Sequence, residues 1–247
     1  MRRVFKVIVS LSVVAVITMS CSNAENKVEK KHEKKHPSPK KVEVVDSAKT
    51  ASVVKFDFEN YAKDKLPEGW SQYFNGRGDT EWKVVEDNGN KVMAQLYSDN
   101  PNSHFNVVVN DGLKAKNLTL KVRLKGVTGK HDQGGGFVWR FIDKDNYYVV
   151  RANPLEDNMV LYKVENGKRT DLPLMGKGRT YGTDVPKLGN GWNDMKLVVV
   201  DDIFTVYLNG KELFKVQDST FTQEGKVGFW TKADAVTYFD DFEVVEQ

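Results

Sequence analysis

Beyond residue 50 the chain is built from short apolar or alternating runs separated by turn signals, and no long stretch repeats its apolar residues at helical spacing. The pattern predicts strands over Val53–Phe58, Trp82–Glu86, Lys91–Tyr97, Phe105–Val109, Leu118–Lys125, Gly136–Asp143, Tyr147–Asn153, Met159–Glu165, Asp194–Val200, Phe204–Leu208, Glu212–Gln217, Gly225–Thr231 and Val236–Glu246. Asn88-Gly89, Asn166-Gly167 and Asn209-Gly210 each fall between two such runs. A type I′ turn needs positive φ at both central residues, which Asn-Gly tolerates, so each pair marks a hairpin. So many short strands, with no internal boundary and no repeat of about 40 to 50 residues, predict one all-β domain over residues 51–247. The expected architecture is a two-sheet antiparallel jelly-roll sandwich, with the first and last runs paired or adjacent.

Alternation also predicts which side chains share a face. In Gly136–Asp143, Phe137, Trp139 and Phe141 take the core phase, leaving Val138, Arg140 and Ile142 outside. In Tyr147–Asn153, Tyr148 and Val150 join the core and Tyr147, Arg151 and Asn153 face out. In Gly225–Lys232, Val227 and Phe229 point inward while Trp230 and Lys232 point outward. An outer face carrying Arg140, Tyr147, Arg151, Asn153, Trp230 and Lys232 has the chemistry of sugar recognition: aromatic rings cover C–H patches and cations or amides bond hydroxyls and carboxylates. Cross-strand pairing on a solvated face is the other reading.

The first 50 residues differ in kind. Met1–Ser20 has a basic start (Arg2, Arg3, Lys6) and an apolar stretch from Val7 to Met19, which is a secretory signal too short to span a bilayer as a helix. Residues 21–50 hold lysines, prolines and no aromatic, which predicts a disordered tether. His32 and His36 sit in this charge run without fixed geometry, so they do not form a metal pair. The whole chain of 247 residues carries +3 (37 Lys+Arg, 34 Asp+Glu), but the basic residues concentrate here and residues 51–247 are left at −3. A nucleic-acid-binding body is excluded, because phosphate recognition needs a concentrated basic face. Cys21 is the single cysteine, which excludes a disulfide framework and a multi-cysteine zinc site.

No Gly-x-Ser-x-Gly, His-Glu-x-x-His or Walker loop occurs. Gly134-Gly135-Gly136 precedes a strand and is expected to form a turn or bulge, and Asp143-Lys144-Asp145-Asn146 reads as a hairpin turn rather than a calcium loop. Paired acids at the two ends of the domain, Asp57 and Glu59 in one and Asp240 and Asp241 in the other, put a carboxylate on an inward phase. Such a charge is compensated either by a structural calcium ion or by a metal-free, hydrogen-bonded corner, and both remain open.

Two resemblances add to this. Ile17-Thr18-Met19-Ser20-Cys21 resembles a bacterial lipobox, with Thr18 where leucine is usual. It implies lipidation of Cys21 and insertion in a bilayer, and Ser22 resembles the outer-membrane sorting default of Gram-negative lipoproteins. Gly136–Phe141, Asn146–Asn153, Val160–Gly167, Tyr207–Lys211 and Gly225–Lys232 resemble concanavalin A-like lectin/glucanase domains, nearest to the bacterial group labelled 3-keto-disaccharide hydrolase or family 16 glycoside hydrolase-like. That resemblance implies a glycan ligand on a concave sheet, with Glu59 and Asp241 matching the structural calcium site of several sandwich carbohydrate-binding modules. The Glu-x-Asp-x-x-Glu signature of family 16 catalysis is absent, and no catalytic residue is assigned. The leading expectation is a lipid-anchored, extracytoplasmic glycan-binding domain. The alternatives are a glycoside or 3-keto-glycoside hydrolase using Glu156 or Asp234 in the same groove, and a non-catalytic envelope assembly lipoprotein.

Overall fold

A computed structural model describes residues 40–43 and 52–247; the signal segment, Cys21 and most of the tether lie outside the described residues. The strands, in chain order, are β1 (Lys40–Glu43), β2 (Ser52–Phe56), β3 (Trp70–Asn75), β4 (Trp82–Asp87), β5 (Asn90–Gln95), β6 (Phe105–Ala115), β7 (Leu118–Thr128), β8 (Gly135–Asp143) and β9 (Asn146–Asn153). They continue with β10 (Asn158–Glu165), β11 (Lys168–Asp171), β12 (Thr183–Asp184), β13 (Asn193–Val200), β14 (Ile203–Leu208), β15 (Lys211–Gln217), β16 (Gly225–Lys232) and β17 (Val236–Glu246). All pairings are antiparallel, and they form two sheets packed as a jelly-roll sandwich. Sheet A runs β1-β2-β17-β7-β13-β14-β15, with β4 joined through β5 to β17. Sheet B runs β11-β10-β9-β8-β16-β6-β3, with β12 against β10.

Each run predicted from alternation falls on a strand, and the first and last pair directly, Phe56 opposite Phe242. At the three Asn-Gly hairpins both residues have positive φ (54° and 84°, 51° and 74°, 49° and 80°), as type I′ turns require. Strands not anticipated are β1, β3, β11 and β12. The first lies within the stretch expected as a tether: Lys40–Glu43 pairs with Ser52–Lys55, because an edge strand needs backbone bonds to only one neighbour and tolerates lysine. β11, Lys-Arg-Thr-Asp, carries no apolar residue to give a period, and β12 is two residues long.

The core lies between the sheets and is rich in rings. Phe229 of sheet B stacks on Phe239 of sheet A with centroids 4.5 Å apart and planes 10° apart. Trp70 packs on Phe229 at 5.7 Å, and Phe56 on Phe242 at 5.9 Å. Burying each such ring contributes about 1.5–3 kcal/mol, and each stacked pair about 0.5–1.5 kcal/mol more. Inward alternation along β7 (Leu118, Leu120, Val122, Leu124) and β13 (Met195, Leu197, Val199) completes this layer.

One irregularity matters for the site. The β8–β9 register shifts between Trp139 and Asp143, and Arg140 has φ of +47°. Beyond the shift the side-chain phase is reversed. Gly225 accommodates the bulge: a Cβ there would lie 2.6 Å from the Arg140 Cα.

Candidate functional site

Sheet B is apolar on both faces. The strand β9 is buried from Tyr147 to Asn153, and β8 from Gly135 to Phe141. One face packs into the sandwich core, while the other carries a second cluster whose members all come from sheet B. Val107, Val109, Val138, Val149 and Val160 are its aliphatic part; Phe105, Tyr147, Tyr162 and Trp230 are among its rings. Trp230 lies 5.5 Å from Phe105, and Tyr147 5.7 Å from Phe141. No residue of sheet A belongs to this cluster, and its rings are nearly fully buried, with Tyr147 and Trp230 at 0% and Phe105 at 7% exposure.

Polar groups gather beside these rings. Arg151 donates from Nη2 to Glu156 Oε2 at 2.7 Å and to the Tyr162 hydroxyl at 3.2 Å, and from Nη1 to the side chain of Asn158. Tyr162 in turn donates to the hydroxyl of Tyr181 at 3.0 Å. Lys232 donates to the Asn102 side chain and stands 3.4 Å from Asp132 Oδ2. The loop bearing Asp132 is held by Asp234, whose carboxylate accepts from the backbone amides of Lys130 (2.6 Å), His131 (3.0 Å) and Asp132 (3.1 Å). Glycines let these strands close up. A Cβ on Gly134 would lie 3.2 Å from the Arg151 Cδ, and one on Gly136 would lie 2.0 Å from the Val150 carbonyl oxygen. Gly135 and Gly136 thus open β8, with Gly134 just before it, crowded by the neighbouring strand where a turn or bulge is expected from the sequence.

Burial works against the charge on Arg151, but the neighbouring Tyr162, Glu156 and Asp132 outweigh it and raise its pKa. Burial likewise works against the Glu156 carboxylate, and the charge and hydrogen bond of Arg151 win, holding it below its ordinary value. The two form an ion pair at neutral pH. Burial pushes the Tyr147 and Tyr162 hydroxyls upward, so both stay protonated and able to donate.

Of the six residues anticipated for a shared face, the structure brings together five: Tyr147, Arg151, Asn153, Trp230 and Lys232 lie on the outer side of sheet B. Arg140 is not with them, and its placement is a correction. Reversed by the bulge, its guanidinium donates to the carbonyls of Phe221 (2.6 Å), Lys116 (3.1 Å) and Asp201 and lies 5.6 Å from the Phe204 ring of the sandwich core. Phe141, expected in the core, moves to the outer cluster for the same reason. Tyr162, Tyr181 and Arg169 escaped the sequence reading. Tyr162 shares the phase of Val160 and Val164 on β10 and was accessible to that argument; Arg169 sits on an all-polar strand and Tyr181 on a loop, where no period exists.

The terminal acids are held by hydrogen bonds and by a cation shared between two of them, Arg123, which lies 3.8 Å from Asp240. Asp240 accepts from Asn90 (2.8 Å) and from the Asp241 amide (2.7 Å). Asp241 pairs with Arg123 (3.1 Å), Glu59 accepts the Lys91 amide (2.8 Å), and Asp57 accepts the Glu59 amide (3.3 Å). Among the described residues no three His, Cys, Asp or Glu side chains gather where they could hold a metal ion. Asp143 closes the β8–β9 hairpin by accepting from the Asp145 amide and Asn146.

The sequence profile of the 3-keto-alpha-glucoside-1,2-lyase-like domain matches residues 64–245. No curated protein matches the chain. Among solved structures, the carbohydrate-binding module CBM66 from Bacillus subtilis is similar at 19% identity, covering 71% of this chain and 94% of that one, with a TM-score of 0.54. The cellulose-induced protein Cip1 is similar at 13% identity over 78% of this chain and 97% of that one, TM-score 0.54. The GH43 BlXynB protein from Bacillus licheniformis is similar at 14% identity over 78% of this chain and 39% of that one, TM-score 0.52. At these identities the likeness is one of fold.

Proposed function

The chain belongs to the family of 3-keto-alpha-glucoside-1,2-lyase-like domains, and from that premise we propose that the outer face of sheet B binds glycan. The observation that carries this reading is the convergence of Arg151, Asn153, Tyr162, Trp230 and Lys232 around one aromatic-aliphatic face. Rings offer flat apolar area to sugar C–H groups, and the cations and amides offer directional bonds to oxygen. The fold shared with a carbohydrate-binding module is consistent with it. Tyr181, 47% exposed, and Lys232 stand at the border of the face, so Tyr181→Ala and Lys232→Ala probe it without emptying the core. In calorimetric titration against a panel of oligosaccharides, both variants are expected to weaken binding about tenfold or more with an unchanged melting temperature. Wild-type affinity in both would place the ligand elsewhere.

A second reading, elimination on a 3-keto-glycoside, is favoured by the family match. In that reaction a base removes the proton next to the ketone while the glycosidic oxygen leaves. Glu156, ionised beside Arg151, is the carboxylate placed to serve; Asp234 is committed to three backbone amides. Glu156→Gln should then abolish release of sugar from a 3-keto-glucoside while ligand affinity persists, and equal turnover would discard the role.

We further propose that acylated Cys21 anchors the domain to a bacterial outer membrane, from the lipobox-like segment before it. Cys21→Ser should move the protein from the membrane to the soluble envelope fraction; unchanged sedimentation with membranes would contradict the anchor.

A further inference from the structure

Resting on the glycan-binding reading above, we propose that the glycan is an acidic one and that Arg169 is the residue that recognises its carboxylate. The guanidinium carbon of Arg169 lies 4.3 Å from the ring centre of Tyr162, 5.3 Å from Phe105 and 5.6 Å from Trp230. It is therefore stacked among the rings of the outer face and belongs to that surface. Its neighbours are neutralised and it is not. Arg151 is paired with Glu156 at 2.7 Å, Lys232 stands 3.4 Å from Asp132, and Arg179 takes Asp171 at 2.8 Å. Among the described residues no carboxylate lies within ion-pairing distance of Arg169.

The hydrogen-bond inventory of the same face is lopsided in the same sense. Arg169 Nη1, Arg151 Nε and Asn153 Nδ2 are buried without a partner and can only donate, whereas Trp230 Nε1 stands beside the Tyr147 hydroxyl, which can accept from it. One buried acceptor-only atom stands against them, Oδ2 of Asp171 on the strand that carries Arg169. A sugar hydroxyl donates as readily as it accepts and would meet this surplus only in part. A carboxylate only accepts and also carries the missing negative charge, so it satisfies both. A ketone accepts without supplying charge, which separates the two ligand chemistries experimentally.

The test uses tetrasaccharides of α-1,4-galacturonate, β-1,4-glucuronate and β-1,4-mannuronate, each beside its carboxyl-reduced neutral twin, titrated into the whole domain. At least one acidic member is expected to bind about tenfold or more tighter than its twin, as a charge-assisted bidentate contact requires. Arg169→Gln should bring acid and twin to equal affinity, whereas Arg169→Lys, keeping the charge, should retain a preference for the acid. Equal binding of both twins to the wild type, or an acid preference that survives Arg169→Gln, overturns the assignment and leaves glycan binding standing. Binding of neither twin across the three pairs, or of neutral and keto-sugars alone, also overturns it, and in the former case glycan binding falls with it. Should Arg169→Gln not fold, the wild type decides: affinity for the acid must fall severalfold between 50 and 500 mM salt, and a flat salt response refutes the ion pair.

Discussion

Replacing Arg140 by methionine separates a residue of the ligand face from one that holds loops together. A strictly alternating strand would put Arg140 beside Arg151, so that its loss would weaken ligand binding and leave stability almost untouched. The bulge instead aims it at three carbonyls, on Phe221, Lys116 and Asp201, which belong to three separate connections between strands. Hydrogen bonds to a charged group contribute about 1.5–3 kcal/mol each. The Arg140 side chain is itself buried, but its acceptors sit on exposed Lys116 and Asp201 and half-buried Phe221, so water can replace some of the lost bonds, and methionine preserves the packing on Phe204. The net loss is then about 3–5 kcal/mol, a large share of the 5–15 kcal/mol typical of a domain. Urea unfolding followed by tryptophan fluorescence reads it directly, since Trp139 is the adjacent residue. With a slope of about 1–3 kcal/mol per molar, the midpoint should fall by more than about 1 M. Glycan affinity of the folded variant should not change. A midpoint within about 0.2 M of wild type together with a tenfold loss of affinity would refute the bulge and return Arg140 to the ligand face.

The Asp234 carboxylate is opposed by burial, but the amides of Lys130, Asp132 and His131 outweigh this and hold its pKa below the ordinary value. The folded state thus binds fewer protons than the unfolded one. The stabilisation is complete above about pH 4 and fades as pH falls through the lower folded value. Asp234→Asn should cost about 1–3 kcal/mol at pH 7 and flatten the acid limb of the stability profile; parallel profiles for variant and wild type would contradict this. Gly136→Ala places a Cβ 2.0 Å from the Val150 carbonyl oxygen and 2.9 Å from the Arg151 Cα, both backbone atoms that cannot swing aside. It should cost about 2 kcal/mol or more, while Gly191→Ala, with nothing within 4 Å, should stay within about 0.5 kcal/mol; equal melting temperatures would show that β8 and β9 are not in close contact.

Alternation and turn chemistry were enough to read the all-β sandwich, the three Asn-Gly hairpins and the shared face of Tyr147, Arg151, Asn153, Trp230 and Lys232. Those are local properties: side chains reverse at every residue of a strand, and positive φ is a preference of the dipeptide itself. The reversal at Arg140 is not local. It depends on the approach of Gly225 from a strand more than eighty residues away and on three carbonyls that only the folded chain brings within reach. The place of Arg169 is of the same kind, because a polar edge strand has no period of its own and acquires a face only from the strand it pairs with. Local periodicity therefore determined which residues could share a surface, and tertiary pairing decided which of the cations reach it and which of them meets the rings without a counter-charge.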